Sequence, residues 1–327
     1  MPRPRIFVTQ PIAESALKRL RKVAIVAVDP DASRVIPKRA LMAAVRRCDI
    51  LFCLLHDKID ADVIAANPKL RMIAAMSVSP SHVDVAAATA RKIPVTVIPV
   101  LQTETTADLC FGLMLAVARR MIEGDRLVRK GQFPGAQSSY LLGSLVWGKT
   151  LGLVGGGGLI GKAVARRARG FNMRVLYWAP RRKPEHEERE AGLNFVSLEE
   201  LLRESDFVSL HSPLNKDTRH QIGDGELRLM KKAAFLINTA RGPIVDEAAL
   251  VRALTGKQIG GAGLDVFEFE PKVSQALRKM SNVVLTPHLG SAVTEAREAM
   301  AHLVTDRIEA FLAGEQPEDC VNPEVFV

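Results

Sequence analysis

Residues 150–161 read TLGLVGGGGLIG, a short apolar run followed by glycines, and the amphipathic stretch KAVARRARG comes next. A strand, a glycine-rich turn and a helix in this order are typical of dinucleotide-binding domains. The spacing G-x-G-x-x-G is met by Gly156, Gly158 and Gly161, whereas a register starting at Gly155 lacks the last glycine. The first glycine makes the turn, the second lets the backbone approach a pyrophosphate, and the third lets the helix pack closely on the strand. The stretch therefore predicts a cofactor-binding unit.

The next strand-like run indicates which nicotinamide cofactor is bound. An acidic residue about twenty positions after the glycines normally binds the ribose hydroxyls of NAD. Here the run ends in YWAPRRKPE, so Ala179 stands near that position and Arg181 and Arg182 follow it. Guanidinium groups bind phosphate bidentately, so a ribose 2′-phosphate would be attracted there. This favours NADP(H), with NAD(H) as the alternative if the basic run is only an exposed loop.

Apolar runs typical of strands alternate with helical stretches along almost the whole chain of 327 residues. Such alternation predicts parallel sheets covered by helices on both faces. The rhythm returns after residue 150, so we expect two α/β units. The segment 103–132 has the spacing of one long helix, and the stretch 131–149 is typical of a loop. The helical stretch TEAREAMAHLVTDRIEAFLAG has no strand after it and is expected to pack on the first unit.

Composition excludes several classes of function. The net charge of +9 comes from basic residues spread among acidic ones, without a basic and aromatic motif, so we expect no nucleic-acid partner. No apolar run is long enough to span a bilayer and the N-terminus has no apolar signal core, so we expect a cytoplasmic protein without membrane contacts. The four cysteines are scattered, without CxxC pairs or nearby histidines, which predicts reduced thiols and no metal site.

Three charged residues follow apolar runs later in the chain. Arg241 lies in LINTARGPIVDEAAL, Glu270 in GAGLDVFEFEP and His288 in VVLTPHLGSA. Proteins of the α/β class collect functional groups at the carboxyl ends of their strands. Taken singly, each residue has a structural explanation as a salt-bridge residue, a loop carboxylate or a buried turn residue. Together, downstream of a dinucleotide fingerprint, they make a proton donor, a carboxylate that orients it and a cation that binds an anion.

These motifs resemble the D-isomer-specific 2-hydroxyacid dehydrogenases over essentially the whole chain. The branch most similar is that of the glyoxylate/hydroxypyruvate reductases, including those that also reduce 2-ketogluconate. The resemblance rests on TETTADLCFGLMLAVARR, GFNMRVLYWAPRRK, LLRESDFV, INTARGPIVDEAAL, GAGLDVFE, NVVLTPHLGSA and CVNPEVF. It implies an α/β protein with two doubly wound parallel sheets, in which a Rossmann cofactor domain is inserted in a flavodoxin-like substrate domain.

The implied domain boundaries are 1–102 for the first part of the substrate domain, 103–287 for the NADP-binding domain and 288–327 for the C-terminal return to the substrate domain. The family also implies a homodimer built around the loop after residue 130. Its partner in the reaction is a small 2-keto or 2-hydroxy acid.

The resemblance also implies a role for each site residue. Arg241 would bind the substrate carboxylate and polarise its carbonyl, and His288 would be the general acid in ketone reduction and the base in the reverse direction. Glu270 would hold the imidazole and favour its protonated form. Val78 and Ser79 would grip the substrate carboxylate through backbone N–H groups. The residues implied to line the cofactor are Thr103, Gly156, Gly158, Leu159, Ile160, Gly161, Ala179, Arg181, Arg182, Pro213, Ala240 and Asp265. Among these, Asp265 would bind the nicotinamide carboxamide.

Two segments depart from the family pattern. Relatives carry a segment like S-V-G-Y-D-N-x-D, whereas residues 77–84 read SVSPSHVD, so Ser79 replaces a glycine and Pro80 an aromatic residue. Serine does not readily take glycine's unusual backbone angles and proline lacks a donor, so we expect an altered grip on the carboxylate. The cofactor turn has one residue more than usual before Gly161, and Leu159 stands where an arginine is usual. We expect a bulged turn with one charged phosphate contact fewer.

Motifs and resemblance together imply an oxidoreductase that transfers a hydride from NADPH to C2 of a small 2-keto acid. The leading substrates are glyoxylate and hydroxypyruvate, the product is the D-2-hydroxy acid, and His288 is the proton donor. A reductase of 2-ketogluconate or another 2-keto acid would use the same residues. A catalytically weak dinucleotide-sensing protein, similar to the corepressors that share this fold, is the alternative from a different class.

Overall fold

The computed structural model describes residues 3–327, and these divide into two compact units. One unit runs up to Leu101 and includes Val293–Val327, and the other is Gln102–Ala292. Residues 1 and 2 of the predicted range 1–102 lie outside the described residues. Within residues 3–327, no helix combines the length and the apolar character needed to cross a membrane.

Strands and helices alternate along the described chain. The strands are β1 Arg5–Val8, β2 Ile25–Val28, β3 Ile50–Leu54, β4 Met72–Met76, β5 Val95–Thr96, β6 Thr150–Val154, β7 Arg174–Trp178, β8 Asn194–Phe195, β9 Phe207–Leu210, β10 Phe235–Asn238, β11 Gly261–Leu264 and β12 Val283–Leu285. The helices are α1 Glu14–Val23, α2 Lys38–Val45, α3 Ala61–Ala65, α4 Val85–Ala90, α5 Thr103–Ala118, α6 Met121–Arg129, α7 Leu159–Gly170, α8 Glu185–Ala191, α9 Leu198–Glu204, α10 Asp224–Leu229, α11 Glu247–Thr255, α12 Gln275–Lys279 and α13 Thr294–Leu312. Short 3-10 helices lie at Gly242–Ile244 and Pro323–Phe326.

In the first unit, β1 to β5 form a parallel sheet in the order β2-β1-β3-β4-β5, which is the order of flavodoxin-like folds. The inner strand β4 is buried along its whole length, which explains its uninterrupted apolar sequence. Helix α13 packs against α1 and β4 and buries Met300, Val304 and Ile308 in the same core as Ile6. The C-terminal helix therefore completes one face of this sheet.

In the second unit, β6 to β12 form a parallel sheet in the order β12-β11-β10-β9-β6-β7-β8. This is the Rossmann order, in which the succession of strands reverses between β6 and β9. Helices α5 and α7 pack against each other over one face of the sheet. The carboxyl ends of β6 and β9 lie side by side at the reversal, where open α/β sheets bind their ligands. The predicted α/β class with two doubly wound parallel sheets is confirmed.

One predicted element is wrong, since the segment 103–132 is not a single helix. Helix α5 ends at Ala118, Arg120 takes a left-handed conformation with a φ of 51°, and α6 begins at Met121. The carbonyl of Ala118 accepts a hydrogen bond from the Ser144 N–H at 2.8 Å. Close approach of this loop is possible because residue 143 is glycine, where a Cβ would lie 3.0 Å from the Cα of Arg119. A contact with a loop 26 residues away in sequence thus accompanies the break.

Candidate active site

The glycine turn connects β6 to α7. Gly155 follows β6 directly and has a φ of 77°, a conformation that residues with a side chain rarely adopt. A Cβ at Gly155 would lie 2.8 Å from the carbonyl carbon of His211, in the segment that follows β9. The Gly155 N–H still bonds the Trp178 carbonyl at 2.8 Å, so pairing between β6 and β7 extends into the turn. The additional residue of the turn is thus a glycine that the backbone requires.

Gly156 and Gly161 bring the start of α7 against the turn. A Cβ at Gly161 would lie 2.6 Å from the Cα of Gly156 and 2.7 Å from its carbonyl carbon. Such a contact between helix and turn is the one that the third glycine of a G-x-G-x-x-G motif makes possible. The five-residue spacing from Gly156 to Gly161 therefore has the geometry expected of the register that starts at Gly156.

The N-terminus of α7 can hold an anionic group. Gly158 is its N-cap residue and supplies no side-chain hydrogen bond, so the first N–H groups of this 12-residue helix are not capped by that residue. They carry the positive end of the helix dipole, which favours phosphate. Leu159, the first residue of the helix, is 64% exposed, and Ile160 beside it is half-buried. These residues fit the pyrophosphate of a dinucleotide cofactor.

In the basic run after β7, Arg182 pairs with a carboxylate of helix α8. Arg182 donates two hydrogen bonds of 2.9 Å to the carboxylate of Glu188, which also accepts the Tyr177 hydroxyl at 2.7 Å. The hydrogen bonds from Arg182 and Tyr177 lower the pKa of Glu188 to about 2. Burial, together with Glu188, raises the pKa of Tyr177 to about 12. Arg182 therefore forms an ion pair with Glu188, a partner that could not be predicted from the sequence.

Arg181 and Lys183 lie on either side of Arg182 and differ from it. Arg181 is exposed, and Ala179, where an acidic residue would select NAD, is half-buried. The side chain of Lys183 lies over the glycine turn, with its Cγ and Cε each 3.0 Å from where a Cβ of Gly157 would be. A small residue at 157 therefore leaves room for a lysine beside the uncapped helix end.

Arg241, Glu270 and His288 follow three neighbouring strands of the second sheet. Arg241 comes three residues after β10, Glu270 follows β11, and His288 comes three residues after β12. Because carboxyl ends of parallel strands meet at one edge of a sheet, the three segments lie together. Burial lowers the pKa of the Arg241 guanidinium, and the negative charge of Glu270 acts in the opposite direction. Arg241 is thus a half-buried cation whose charge is stabilised by the negative charge of Glu270.

Glu270 orients the imidazole of His288. The His288 Nδ1 lies 3.0 Å from the Glu270 Oε2, and both side chains are about one-fifth exposed, at 22% and 21%. A carboxylate only accepts hydrogen bonds, so Nδ1 carries the donated proton. The other Glu270 oxygen accepts the Phe267 N–H at 2.9 Å. This arrangement fixes the imidazole plane and leaves Nε2 as the ring nitrogen that does not bond Glu270.

Asp265 holds the segment that carries His288. Its buried carboxylate accepts hydrogen bonds from the Thr286 hydroxyl at 2.6 Å, the Leu289 N–H at 2.7 Å and the Gly290 N–H at 2.9 Å. Its own carbonyl accepts the His288 N–H at 2.9 Å. Burial raises the pKa of Asp265, and these hydrogen bonds oppose that rise. Asp265 therefore organises the histidine segment, a task beyond the nicotinamide contact implied by the resemblance.

The remaining predicted cofactor residues lie at strand or helix ends of the second unit. Thr103 is the first residue of α5. Pro213 follows β9, is exposed, and its carbonyl accepts the Thr218 hydroxyl at 2.6 Å. The Ala240 N–H donates to the Asn238 side chain at 3.0 Å, and its carbonyl accepts the Arg241 guanidinium at 2.7 Å.

Val78 and Ser79 lie in the first unit, after β4. The Ser77 hydroxyl donates to the Ser79 carbonyl at 2.8 Å, and the Ser77 carbonyl accepts the Ile98 N–H at 3.0 Å. Ser79 is not one of the residues with a positive φ. The serine therefore occupies the usual glycine position without left-handed strain, contrary to the cost expected from the sequence.

Comparison with known proteins shows the family to which the chain is similar. A family model described as the D-isomer specific 2-hydroxyacid dehydrogenase, NAD binding domain, matches residues 111–290. The glyoxylate reductase of Thermococcus litoralis is 47% identical over 330 residues, which cover 99% of this chain and 98% of that protein. The crystal structure of TT0316 protein from Thermus thermophilus has a TM-score of 0.88 and 43% identity, and covers 97% of this chain and 99% of its own. An NADPH-dependent glyoxylate/hydroxypyruvate reductase from Sinorhizobium meliloti, solved with citrate, has a TM-score of 0.79 and 32% identity over 98% of both chains.

The chain belongs to the D-isomer specific 2-hydroxyacid dehydrogenase family. Within it, the protein is an NAD(P)-dependent dehydrogenase similar to glyoxylate reductases, and it acts as a keto acid reductase. The family resemblance seen in the sequence is confirmed.

Proposed function

We propose that this protein reduces glyoxylate and hydroxypyruvate with NADPH and releases the 2-hydroxy acid, of D configuration where C2 is chiral. The observation that carries the proposal is the Nδ1–carboxylate pair of His288 and Glu270 beside the half-buried cation Arg241. A ketone needs a positioned acid at its oxygen and a cation for its carboxylate, and this site supplies both. When bound, the nicotinamide supplies the hydride that reaches C2.

The three side chains divide the remaining work. Glu270 holds the ring through Nδ1, so Nε2 of His288 presents the proton that passes to the C2 oxygen. Positioned acid catalysis of this kind is worth roughly 10²–10⁴ in rate. Arg241 binds the substrate carboxylate and stabilises negative charge that develops on the carbonyl oxygen.

The decisive experiment compares wild type with His288→Gln on a panel of 2-keto acids, with NADPH oxidation as the assay. The variant should bind NADPH with unchanged affinity and lose at least about 100-fold in kcat. Glyoxylate and hydroxypyruvate should give the highest kcat/KM, and a preference for 2-ketogluconate would shift the proposal to that substrate. NADPH binding by the wild type without turnover of any panel member would favour the dinucleotide-sensing alternative. Near-normal turnover by His288→Gln would refute the role of His288 as the proton donor.

We also propose that Arg181 and Lys183 select NADP(H). The Sinorhizobium relative is NADPH-dependent, and these two cations flank Arg182 without sharing its bond to Glu188. Arg181→Ala and Lys183→Met should each lower the ratio of NADPH to NADH affinity by about tenfold or more, since hydrogen bonds to charged groups contribute about 1.5–3 kcal/mol. Arg189→Ala is the matched control, because this exposed arginine pairs within α8 with Glu185. An unchanged ratio in both variants would leave NAD(H) as the cofactor.

A homodimer is proposed from an exposed apolar surface on α6 and the following loop. Its exposed members are Met121, Ile122, Val128, Phe133, Tyr140, Leu142, Leu145 and Trp147. Exposed apolar side chains concentrated in one stretch of the chain favour an interaction site there. Replacing both Leu142 and Leu145 by Asp should yield a monomer in light scattering, whereas Leu214→Asp, at another exposed leucine, should not. A wild-type monomer would refute the proposal.

A cytoplasmic location is part of the same proposal. Cys48, Cys53 and Cys110 are buried free thiols, and Cys320 is a half-buried one. Free thiols of this kind suit a reducing compartment, which supports the location.

A further inference from the structure

Glu247 and Glu268 hold each other's backbone. The Glu268 Oε2 accepts the Glu247 N–H at 3.2 Å, and the Glu247 Oε2 accepts the Glu268 N–H at 3.1 Å. Glu247 is buried as the first residue of α11, and the Glu268 side chain is only 5% exposed. Carboxylates at a helix N-terminus are stabilised by the helix dipole, so two buried negative groups are tolerated here. The pair forms a reciprocal clamp between α11 and the segment after β11.

The second oxygen of Glu268 reaches a third segment. The Glu268 Oε1 lies 2.6 Å from the His220 Nε2 and 3.3 Å from the Arg219 guanidinium. The same segment is fixed by its backbone, because the His220 N–H donates to the Pro243 carbonyl at 2.8 Å. One carboxylate therefore ties together residues 219–222, 242–247 and 265–270.

One of these segments carries Glu270, and another begins directly after Arg241. Gly242 follows Arg241, and a Cβ at Gly242 would lie 2.5 Å from the Glu268 nitrogen, so the two backbones are in direct contact. Glu270 lies two residues after Glu268, and its Oε1 accepts the Phe267 N–H at 2.9 Å. A shift of the 265–270 segment would therefore move the Glu270 carboxylate relative to Arg241.

We propose that Glu268 is a positioning residue that sets the distance between the Arg241 cation and the Glu270–His288 pair. The inference rests on the proposed function, since it assumes that these three groups act on one substrate. Glu268 suits the task because an ionised carboxylate accepts at both oxygens, whereas an amide accepts at one and donates at the other end. A glutamine at 268 would turn an NH₂ group toward either the Glu247 N–H or the Arg219 and His220 donors.

Glu268→Gln tests the proposal when kcat, KM and the NADPH dissociation constant are measured separately. Displacement of catalytic groups by about 1 Å costs up to about 100-fold in rate, so kcat per NADPH-binding site should fall about tenfold or more. The NADPH dissociation constant should rise less than kcat falls, because the glycine turn and the start of α7 lie outside the segments that Glu268 joins. A wild-type kcat per binding site, with only a lowered free energy of unfolding, would overturn the proposal and leave a purely structural carboxylate.

Glu247 provides a second pair of variants that keeps the Glu268 charge. Glu247→Gln retains an oxygen that can accept the Glu268 N–H and should keep kcat within about twofold, whereas Glu247→Ala removes the acceptor and should lower kcat. Equal kcat in these two variants would also overturn the proposal, and they decide the matter if Glu268→Gln does not fold. His288→Gln, assayed in parallel, separates the two levels of inference. If His288→Gln keeps its turnover, the proposed function is refuted. If His288→Gln is inactive while Glu268→Gln is fully active, only the positioning role of Glu268 is refuted.

Discussion

Replacement of Gly161 by alanine tests the contact on which the glycine register depends. A Cβ there would lie 2.6 Å from the Cα of Gly156 and 2.7 Å from its carbonyl carbon. Nonbonded carbon atoms rest at about 3.5–4.0 Å, so the start of α7 would have to move about 1 Å away from the turn. Both partners are backbone atoms, so no change of rotamer can relieve the overlap.

The size of the effect follows from two opposing contributions. Overpacking costs about 1–3 kcal/mol, and the upper end applies because the backbone must move. Alanine in a helix is favoured over glycine by up to about 1 kcal/mol, so the free energy of unfolding should fall by about 2 kcal/mol. Gly170, at the other end of α7, is the matched control, since a Cβ there meets no atom within 4 Å. Gly170→Ala should be neutral or more stable than wild type.

Urea denaturation at pH 7, followed by tryptophan fluorescence, measures the stability of the two variants. NADPH titration adds a second readout, because a displaced helix N-terminus should raise the dissociation constant of Gly161→Ala by about tenfold, equivalent to about 1.4 kcal/mol. Gly170→Ala should bind NADPH as wild type does. If Gly161→Ala unfolds at the same urea concentration as Gly170→Ala, the contact with Gly156 does not exist and the register is refuted.

Three further perturbations give separate tests. Burial lowers the pKa of both His82 and His211 to about 4. Because the unfolded chain binds these protons already below about pH 6.5, the free energy of unfolding, measured with urea, should fall by about 2–3 kcal/mol per histidine between pH 7 and 4. A free energy of unfolding that does not change over this range would contradict this. Asn322→Ala should lose about 1–3 kcal/mol in the same assay, because the Val95 N–H, the Thr89 hydroxyl and the Ile93 carbonyl lose their partner; full stability would exclude a role for these bonds. Leu159→Arg should lower the NADPH dissociation constant and steepen its salt dependence, because it places a cation at the exposed start of α7; binding indistinguishable from wild type would show that the position does not face the phosphates.

The strands were predictable because parallel strands buried on both faces read as continuous apolar runs. Strands β4 and β10 are buried along their length and consist of MIAAM and FLIN. Strand β8 cannot be predicted in this way, because Asn194 and Phe195 are too short a run to show any period. The break between α5 and α6 was missed for another reason, since the competing donor is the Ser144 N–H of a loop. Local spacing shows no sign of such a partner.

Partners of charged side chains were the least predictable feature of the candidate site. The sequence after β7 shows three basic residues, but which of them forms an ion pair depends on where α8 places its acidic residues. Glu188 lies six residues beyond Arg182 and meets both its guanidinium and the Tyr177 hydroxyl. The alignment of Glu270 with His288 was easier to anticipate, because both follow neighbouring strand ends and topology alone brings them to one edge.

The additional residue of the cofactor turn is Gly155, which lies directly before the G-x-G-x-x-G motif. Gly155 takes the left-handed conformation at the end of β6, and the contact between Gly156 and Gly161 is then made at the ordinary spacing. Since a Cβ at Gly155 would meet the backbone of His211 and Ser212, the turn packs directly against the segment after β9. Lys183 lies over Gly157 on the other side of the turn. A lysine from the end of the neighbouring strand thus lies against the turn whose helix begins with Leu159 instead of the usual arginine.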